Sequence, residues 1–393
     1  MGKGRLVRAV GLVLAAGSFA VCAQPSSDGI ARCDGSESDD ASVLWDPDSD
    51  AESPTWPESL PEAPDGACHA ISKEPYTGPD TNICYHVPYQ SEPMTYSWKD
   101  PAEGYQRRWL SFDYYYPTMP AAGHPLVAYF HPNGKTNRLH RGSPVYDAIV
   151  GRALENGWGV VSVEFRHPVV DAYLEDKGGR EGDGLGYLPT YDTGRAMQFL
   201  REHARVLNFD PRNLFAVGYS RGSLALWQGL QPDLATHSYD YSSLPRAFYG
   251  YQSQSTYRCD DYAGFFLSVE DREGWESDCR AENPHHREFG SALRSVKATT
   301  RLPIALRYRD AFWVDGHGHV RTNTRWAIEH YDIYAPPGSD PDDTEHYPDM
   351  GLQLVEQLQA VGSSTIIDVR DCHNNIRDGF GDWLDFFRRF VRR

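Results

Sequence analysis

Gly218-Tyr219-Ser220-Arg221-Gly222 has the spacing G-x-S-x-G. A serine hydroxyl attacks a carbonyl only when a base takes its proton and donors receive the developing negative charge. In this pattern the serine sits on a sharp strand-to-helix turn that projects its hydroxyl above a sheet. Glycines two before and two after it let strand and helix approach without Cβ clashes. The flanks agree. Leu214-Phe-Ala-Val217 reads as a buried strand, and Ser223 onward reads as a helix with its N-terminus at the turn. Such a pentapeptide recurs by chance in roughly one of every four chains of this length, so the strand and helix around it carry the reading. Ser220 is the candidate nucleophile.

The elements that must hold this turn are legible around it. Trp109–Tyr116 alternates as a strand. Leu126–Phe130 is a short apolar strand running into His131-Pro-Asn-Gly134, and Gly159–Phe165 is another. Helical patterns cover Tyr146–Asn156 and Tyr191–Leu207. Further on come strands at Ala247–Gln252, Leu302–Tyr308 and Thr365–Val369, and helices at Asp349–Ala360 and Asp382–Arg392. Strands alternating with helices imply an α/β fold with a mostly parallel sheet covered on both faces. Two insertions interrupt it. Residues 253–298 are polar and aromatic and stand where a cap would cover a cleft. Residues 309–348 form a long loop rich in His, Asp and Gly, a length usually reserved for functional loops. Residues 67–108 read as an irregular extension.

From Trp109 to the C-terminus the order of pieces resembles the α/β-hydrolase superfamily, and within it the esterases of the hormone-sensitive-lipase and feruloyl-esterase type. The motifs are His131-Pro-Asn-Gly134 in place of a His-Gly-Gly-Gly-like run, Val161-Ser-Val-Glu-Phe-Arg166, Asp192 heading a helix, Asn208-Phe-Asp-Pro-Arg-Asn213, and the turn at Ser220. The resemblance implies an α/β-hydrolase fold, an acyl-enzyme mechanism and a triad in the chain order serine, acid, histidine. His373, the one histidine after the last strand, stands where the family has its base. For the acid the resemblance favours Asp343 by its distance from Gly362. Asp310 follows its strand directly, and Asp342 and Asp315 are further alternatives. The oxyanion hole would use the N–H of Arg221 and of Asn133 or Gly134, because Pro132 has none. The Arg221 side chain is expected to pair with a loop carboxylate, with a polar substrate group as the alternative. Asp315-Gly-His-Gly-His319 has no clear third ligand and reads as a loop, so neither metal nor cofactor is implied. The substrate implied is a small or polymer-linked carboxylic ester. The alternatives are a serine peptidase of the same fold and an inactive hydrolase-fold surface binding module.

The 393 residues, 40% hydrophobic, suffice for one large domain with extensions. Residues 1–23 read as a secretory signal: Lys3, Arg5 and Arg8, then an apolar run, then Val21-Cys22-Ala23 before a cut. That run is too short for a transmembrane anchor, and no later stretch reads as a span. A lipid anchor at Cys22 is the alternative attachment. The expected location is secreted, periplasmic or cell-surface. Residues 24–66 carry twelve acidic residues and one basic, and read as a disordered linker. Of the net charge of −17, the leader contributes +3 and the linker −11, which leaves −9 on residues 67–393. An acidic body without basic runs argues against a nucleic-acid partner. With Cys22 removed six cysteines remain, an even number that suits disulfides in an exported protein. Cys68 with Cys84 and Cys259 with Cys279 are local pairs, and Cys33 with Cys372 is the remainder.

Overall fold

A computed structural model describes residues 72–73, 81–88, 94–97, 105–108, 110–117, 123–132, 139, 143–165, 187–230, 241–256, 261, 291–294, 296–308, 313–314, 320–321, 348–371 and 376–393, all within the unit Asp46–Arg393. Among these residues the principal sheet has nine strands. In spatial order they are β1 (Ser72–Lys73), β2 (Thr81–Pro88), β5 (Ser111–Pro117), β7 (Gly159–Val163), β6 (His124–Phe130), β8 (Phe209–Tyr219), β9 (Phe248–Tyr251), β10 (Ile304–Tyr308) and β13 (Ile367–Asp371). From β7 to β13 every neighbouring pair is parallel, while β1, β2 and β5 add an antiparallel edge. Two further antiparallel pairs stand apart: β3 (Met94–Ser97) with β4 (Tyr105–Arg108), and β11 (Trp313–Val314) with β12 (Val320–Arg321).

The parallel strands β7, β9 and β10 are buried at every position, as strands covered on both faces must be. On one face Leu126, Ala128, Phe130, Val161, Leu214 and Ala216 join a core with Ala196, Met197 and Leu200 of helix Tyr187–Glu202. Leu224 and Trp227 of helix Leu224–Leu230 and Leu354 and Leu358 of helix Asp349–Ala360 complete that core. The opposite face is aromatic. Phe215 stacks on Trp158 at 5.3 Å and on Phe387 at 4.7 Å, and Tyr115 meets Tyr146 edge-on. This face is covered by the helical stretch of Pro144–Tyr146, a π turn at Asp147–Gly151 and Arg152–Glu155, and by the closing helix Trp383–Arg388. The class is α/β, with a mostly parallel sheet between helices.

Several boundaries differ from expectation for local reasons. Helix Tyr187–Glu202 begins four residues earlier than Tyr191, because Pro189 falls in its first turn, where no N–H is required. It ends at Glu202 rather than Leu207. Turns carry Ala204 and Leu207 into the core until Asn208 adopts φ +55°. Strand β8 extends well before Leu214. His124 pairs with Phe209 and Leu126 with Leu214, so residues 210–213 bulge from the strand. Strand β13 starts at Ile367 instead of Thr365, whose hydroxyl is committed to the Thr300 carbonyl at 2.7 Å. The stretch 67–108, expected to be irregular, supplies β1 to β4. Its short runs carry no period, and pairing with β5 makes β2 a strand.

Trp383 is fully buried, donates from Nε1 to the Ala148 carbonyl at 2.9 Å, and packs against Trp158 and Phe387. Trp383→Ala is expected to lower unfolding free energy in urea by about 3–5 kcal/mol. A variant as stable as the parent would show that the closing helix is not part of the core.

Candidate active site

Ser220 follows the last residue of β8, the strand between β6 and β9. Its φ is +48°, a region that residues with a Cβ rarely enter and that costs on the order of 1–3 kcal/mol. The chain then passes through a 3-10 turn, Ser220–Ser223, into helix Leu224–Leu230. Neither flanking glycine tolerates a side chain. A Cβ on Gly222 would stand 2.0 Å from the Phe130 carbonyl oxygen at the end of β6. One on Gly218 would stand 2.5 Å from the Gly222 carbonyl oxygen. Strand, turn and helix are thus wedged against the neighbouring strand, and the backbone at Ser220 has no room to relax. This is the strained strand–turn–helix elbow that the G-x-S-x-G spacing predicts.

Arg221 is fixed by the same turn. The first N–H groups of a helical turn have no acceptor within it, so its backbone donor suits an oxyanion site. Its side chain is 2% exposed and runs to the ends of β6 and β7. Nη2 lies 3.2 Å from His131 Nε2 and 3.4 Å from the Phe165 carbonyl oxygen, and the guanidinium stacks over the Phe165 ring at 4.4 Å. Glu164, the residue after β7, is 3.9 Å from Nη2 and 3.2 Å from His131 Nε2. The expected carboxylate partner is therefore found at a strand end, at the outer limit of an ion pair. His131 Nδ1 is 2.8 Å from the Pro132 carbonyl oxygen and donates to it. Neutral, His131 offers Nε2 as acceptor to Arg221; protonated, it donates to Glu164 instead. Glu164 and Phe165 were not legible as partners of Arg221, since only the neighbouring ends of β6 and β7 bring them to it.

Of the remaining candidates, Asn133, Gly134, Asp343 and His373 lie outside the described residues, as do Asp310, Asp315, Asp342, the Asp315–His319 stretch and the side chains of all the cysteines. The described roots of these segments share one edge. Tyr219, Tyr251, Tyr308 and Asp371 end parallel strands whose registers pair Tyr219 with Tyr251 and Tyr308 with Asp371. Asp371 is two residues before His373, and Tyr308 is two before Asp310. Beyond His373 the chain returns toward the elbow. Gly379 is packed against the Tyr251 ring, and Phe380 meets Tyr219 at 5.9 Å and Tyr251 at 5.2 Å. The carboxyl edge of a parallel sheet is where such folds place their ligands. The insertion after β9 is closed at its base, where Asp261 accepts from both Thr256 and Ser291 hydroxyls at 2.6 and 2.9 Å.

One buried arginine ties both flanks of the His373 segment to the sheet. Arg307 of β10 donates to Asp382 through Nε and Nη2, at 3.1 and 2.5 Å, and to Asp368 of β13 at 2.9 Å. The Tyr249 hydroxyl is shared by the Gly379 carbonyl at 2.7 Å and Asp382 at 2.6 Å. Burial pushes the Asp382 carboxyl up, but its hydrogen bond to Arg307 and that guanidinium's charge outweigh burial and hold it below its ordinary value.

No family model matches the chain, and no curated protein matches it. Among solved structures it is similar to an esterase of the Planctomycetes species Thermogutta terrifontis with propionate bound, at 16% identity over 72% of this chain and 83% of that one, with a TM-score of 0.40. A truncated carbohydrate esterase from gut microbiota matches at 13% identity over 78% and 95%, with a TM-score of 0.45. Esterase 2 of Thermogutta terrifontis phosphonylated by sarin matches at 17% over 68% and 79%, with a TM-score of 0.39. These scores lie below 0.5, so the functional reading rests on the elbow itself.

A carboxylate held below its ordinary value of 3.8 contributes stability that is complete above that value and is lost as pH falls through the lowered one. Thermal unfolding followed from pH 7 to pH 2 is expected to show this acid-side loss in the parent. Asp382→Asn should start less stable and lose less over the same range. Parallel curves for the two proteins would contradict the Arg307–Asp382 assignment.

Proposed function

We propose that this chain is a serine hydrolase that cleaves carboxylic esters through an acyl-enzyme intermediate. The observation that carries the reading is Ser220 at φ +48° between two glycines with no space for a Cβ, at the carboxyl end of a strand inside the parallel run. Strain of this kind persists only where the surrounding packing enforces it, and it collects at reacting groups.

In the proposed reaction His373 takes the proton from the Ser220 hydroxyl as Oγ attacks the ester carbonyl carbon. The carbonyl π electrons move to oxygen, where the N–H groups of Arg221 and of Asn133 or Gly134 receive them. Collapse of this intermediate expels the alcohol, which takes the proton from His373. Water then repeats the sequence on the acyl-enzyme, releasing the acid and restoring Ser220. Asp343 or Asp310 holds the imidazole tautomer. No step calls for a cofactor. The roots of the His373 and Asp310 segments at the elbow's own edge support these roles. The insertion rooted at Thr256 and Ser291 suits a cap over the ester. The neighbours' names, esterase and carbohydrate esterase, agree with an ester substrate, small or polymer-linked. The leader-like N-terminus and the cysteine count extend the proposal to an exported protein with disulfides, with Cys22 as the alternative lipid anchor. No helix among the described residues is long and apolar enough to cross a membrane.

The full-length protein is expected to label with a fluorophosphonate probe and to hydrolyse p-nitrophenyl esters of short acids. Ser220→Ala should abolish labelling and lower turnover by several orders of magnitude. An unlabelled parent would favour an inactive binding module, and labelling with cleavage of peptides alone would favour a peptidase. Asp343→Asn and Asp310→Asn, compared on one ester, should differ sharply. The true acid loses on the order of 10⁴ in turnover, by analogy with the serine-protease triad, and the bystander loses little. Equal, small losses in both would remove the acid from these two positions.

A further inference from the structure

Arg221 is more deeply buried than a salt-bridged arginine needs to be, and less well satisfied. At 2% exposure its Nη2 reaches His131 and the Phe165 carbonyl, while Nε and Nη1 have no acceptor. Glu164 stands 3.9 Å away and also contacts His131. Buried guanidinium groups are ordinarily paired and fully hydrogen-bonded, since an unshared charge in a low-dielectric interior is strongly disfavoured. A packing role alone would be served by an apolar side chain in this space between the ends of β6 and β7.

The location gives the arrangement its use. The backbone N–H of Arg221 is one of the two donors required by the proposed mechanism. His131, which its side chain contacts, is the first residue after β6 and stands two and three residues before Asn133 and Gly134, the candidates for the other. We propose that the Arg221 guanidinium is a positioning group of the oxyanion hole: it couples the residue bearing one donor to His131, just before the residues proposed to bear the other, and its incompletely neutralised charge favours negative charge at the elbow. The inference rests on the Ser220 reading and adds to it a side chain that does not touch the reacting atoms. His131 mediates the coupling, and the ring and carbonyl of Phe165 set the guanidinium plane. Lysine would keep the charge but lose the planar face that stacks on the Phe165 ring.

The test uses the full-length protein, its Arg221→Gln and Arg221→Lys variants, a p-nitrophenyl ester and an alkyl trifluoromethyl ketone. The ketone adds to an active serine and leaves a tetrahedral oxyanion. Arg221→Gln is expected to lower kcat about 10- to 100-fold, less than or comparable to removing a direct oxyanion donor. KM should stay within about twofold, and ketone affinity should fall by the same factor as kcat/KM. Arg221→Lys should fall between parent and Gln. A merely structural arginine would shift the melting temperature without moving ketone affinity in step with kcat. Parent-like kcat and ketone affinity in folded Arg221→Gln, or a change confined to KM, would overturn the proposal. Should Arg221→Gln fail to fold, folded Arg221→Lys decides: a joint loss of kcat and ketone affinity supports it, and parent-like values reject it. A parent that takes no fluorophosphonate removes the Ser220 reading and this inference together. A labelled parent with indifferent Arg221 variants removes this inference alone.

Discussion

The contact between Gly222 and the Phe130 carbonyl is the constraint on which the site depends. With no side chain at Gly222, the 3-10 turn approaches the end of β6 closely enough to close the elbow. Gly218, under the same turn, removes the second obstruction. With strand and helix wedged together, Ser220 is left at a positive φ that it would not choose. The strain is maintained by the core beneath: Leu214 and Ala216 on one face of β8, Phe215 between Trp158 and Phe387 on the other. A rigid sheet and a tight turn fix the backbone that carries the hydroxyl, and the proposed acyl transfer would draw on that pre-organisation.

Around the elbow, polar groups are distributed according to what they hold. Arg307 carries two carboxylates and the closing helix, and its pairing with Asp382 is short and doubly bonded. Arg221 carries one distant carboxylate and a histidine, with two nitrogens unshared. Two buried arginines near the sheet's carboxyl edge, one after β8 and one in β10, are thus treated in opposite ways. The well-paired one anchors the chain that flanks His373. The poorly paired one sits beside Ser220, where the proposed chemistry would give excess positive charge a use.

The apolar content of the strands and the period of the helices made most of the parallel sheet legible. Leu126–Phe130, Gly159–Val163 and Ile304–Tyr308 are short runs that only a doubly covered sheet can bury, and Asp349–Ala360 appears at its expected bounds. Less legible were elements whose signal is not local. Strand β2 exists because β5 offers an edge to pair with, and β1 because β2 in turn offers one. The bulge at 210–213 and the late start of β13 depend on registers and hydroxyl contacts that no periodicity encodes.

By itself, the sequence determined that a serine stands between two glycines at a strand–helix junction, because steric demands on a tight turn are written in neighbouring residues. It also determined the α/β class, because burial on both faces is written in apolar runs. Only the tertiary structure decided what enforces the strained conformation that the motif implies at Ser220, which is β6 pressed against the turn, and the partners of Arg221, which come from residues 90 and 57 positions away in chain order. It alone showed that Asp368 and Asp382 share Arg307. Such pairings arise from which strands lie side by side, and strand order is a property of the folded sheet that no stretch of sequence contains.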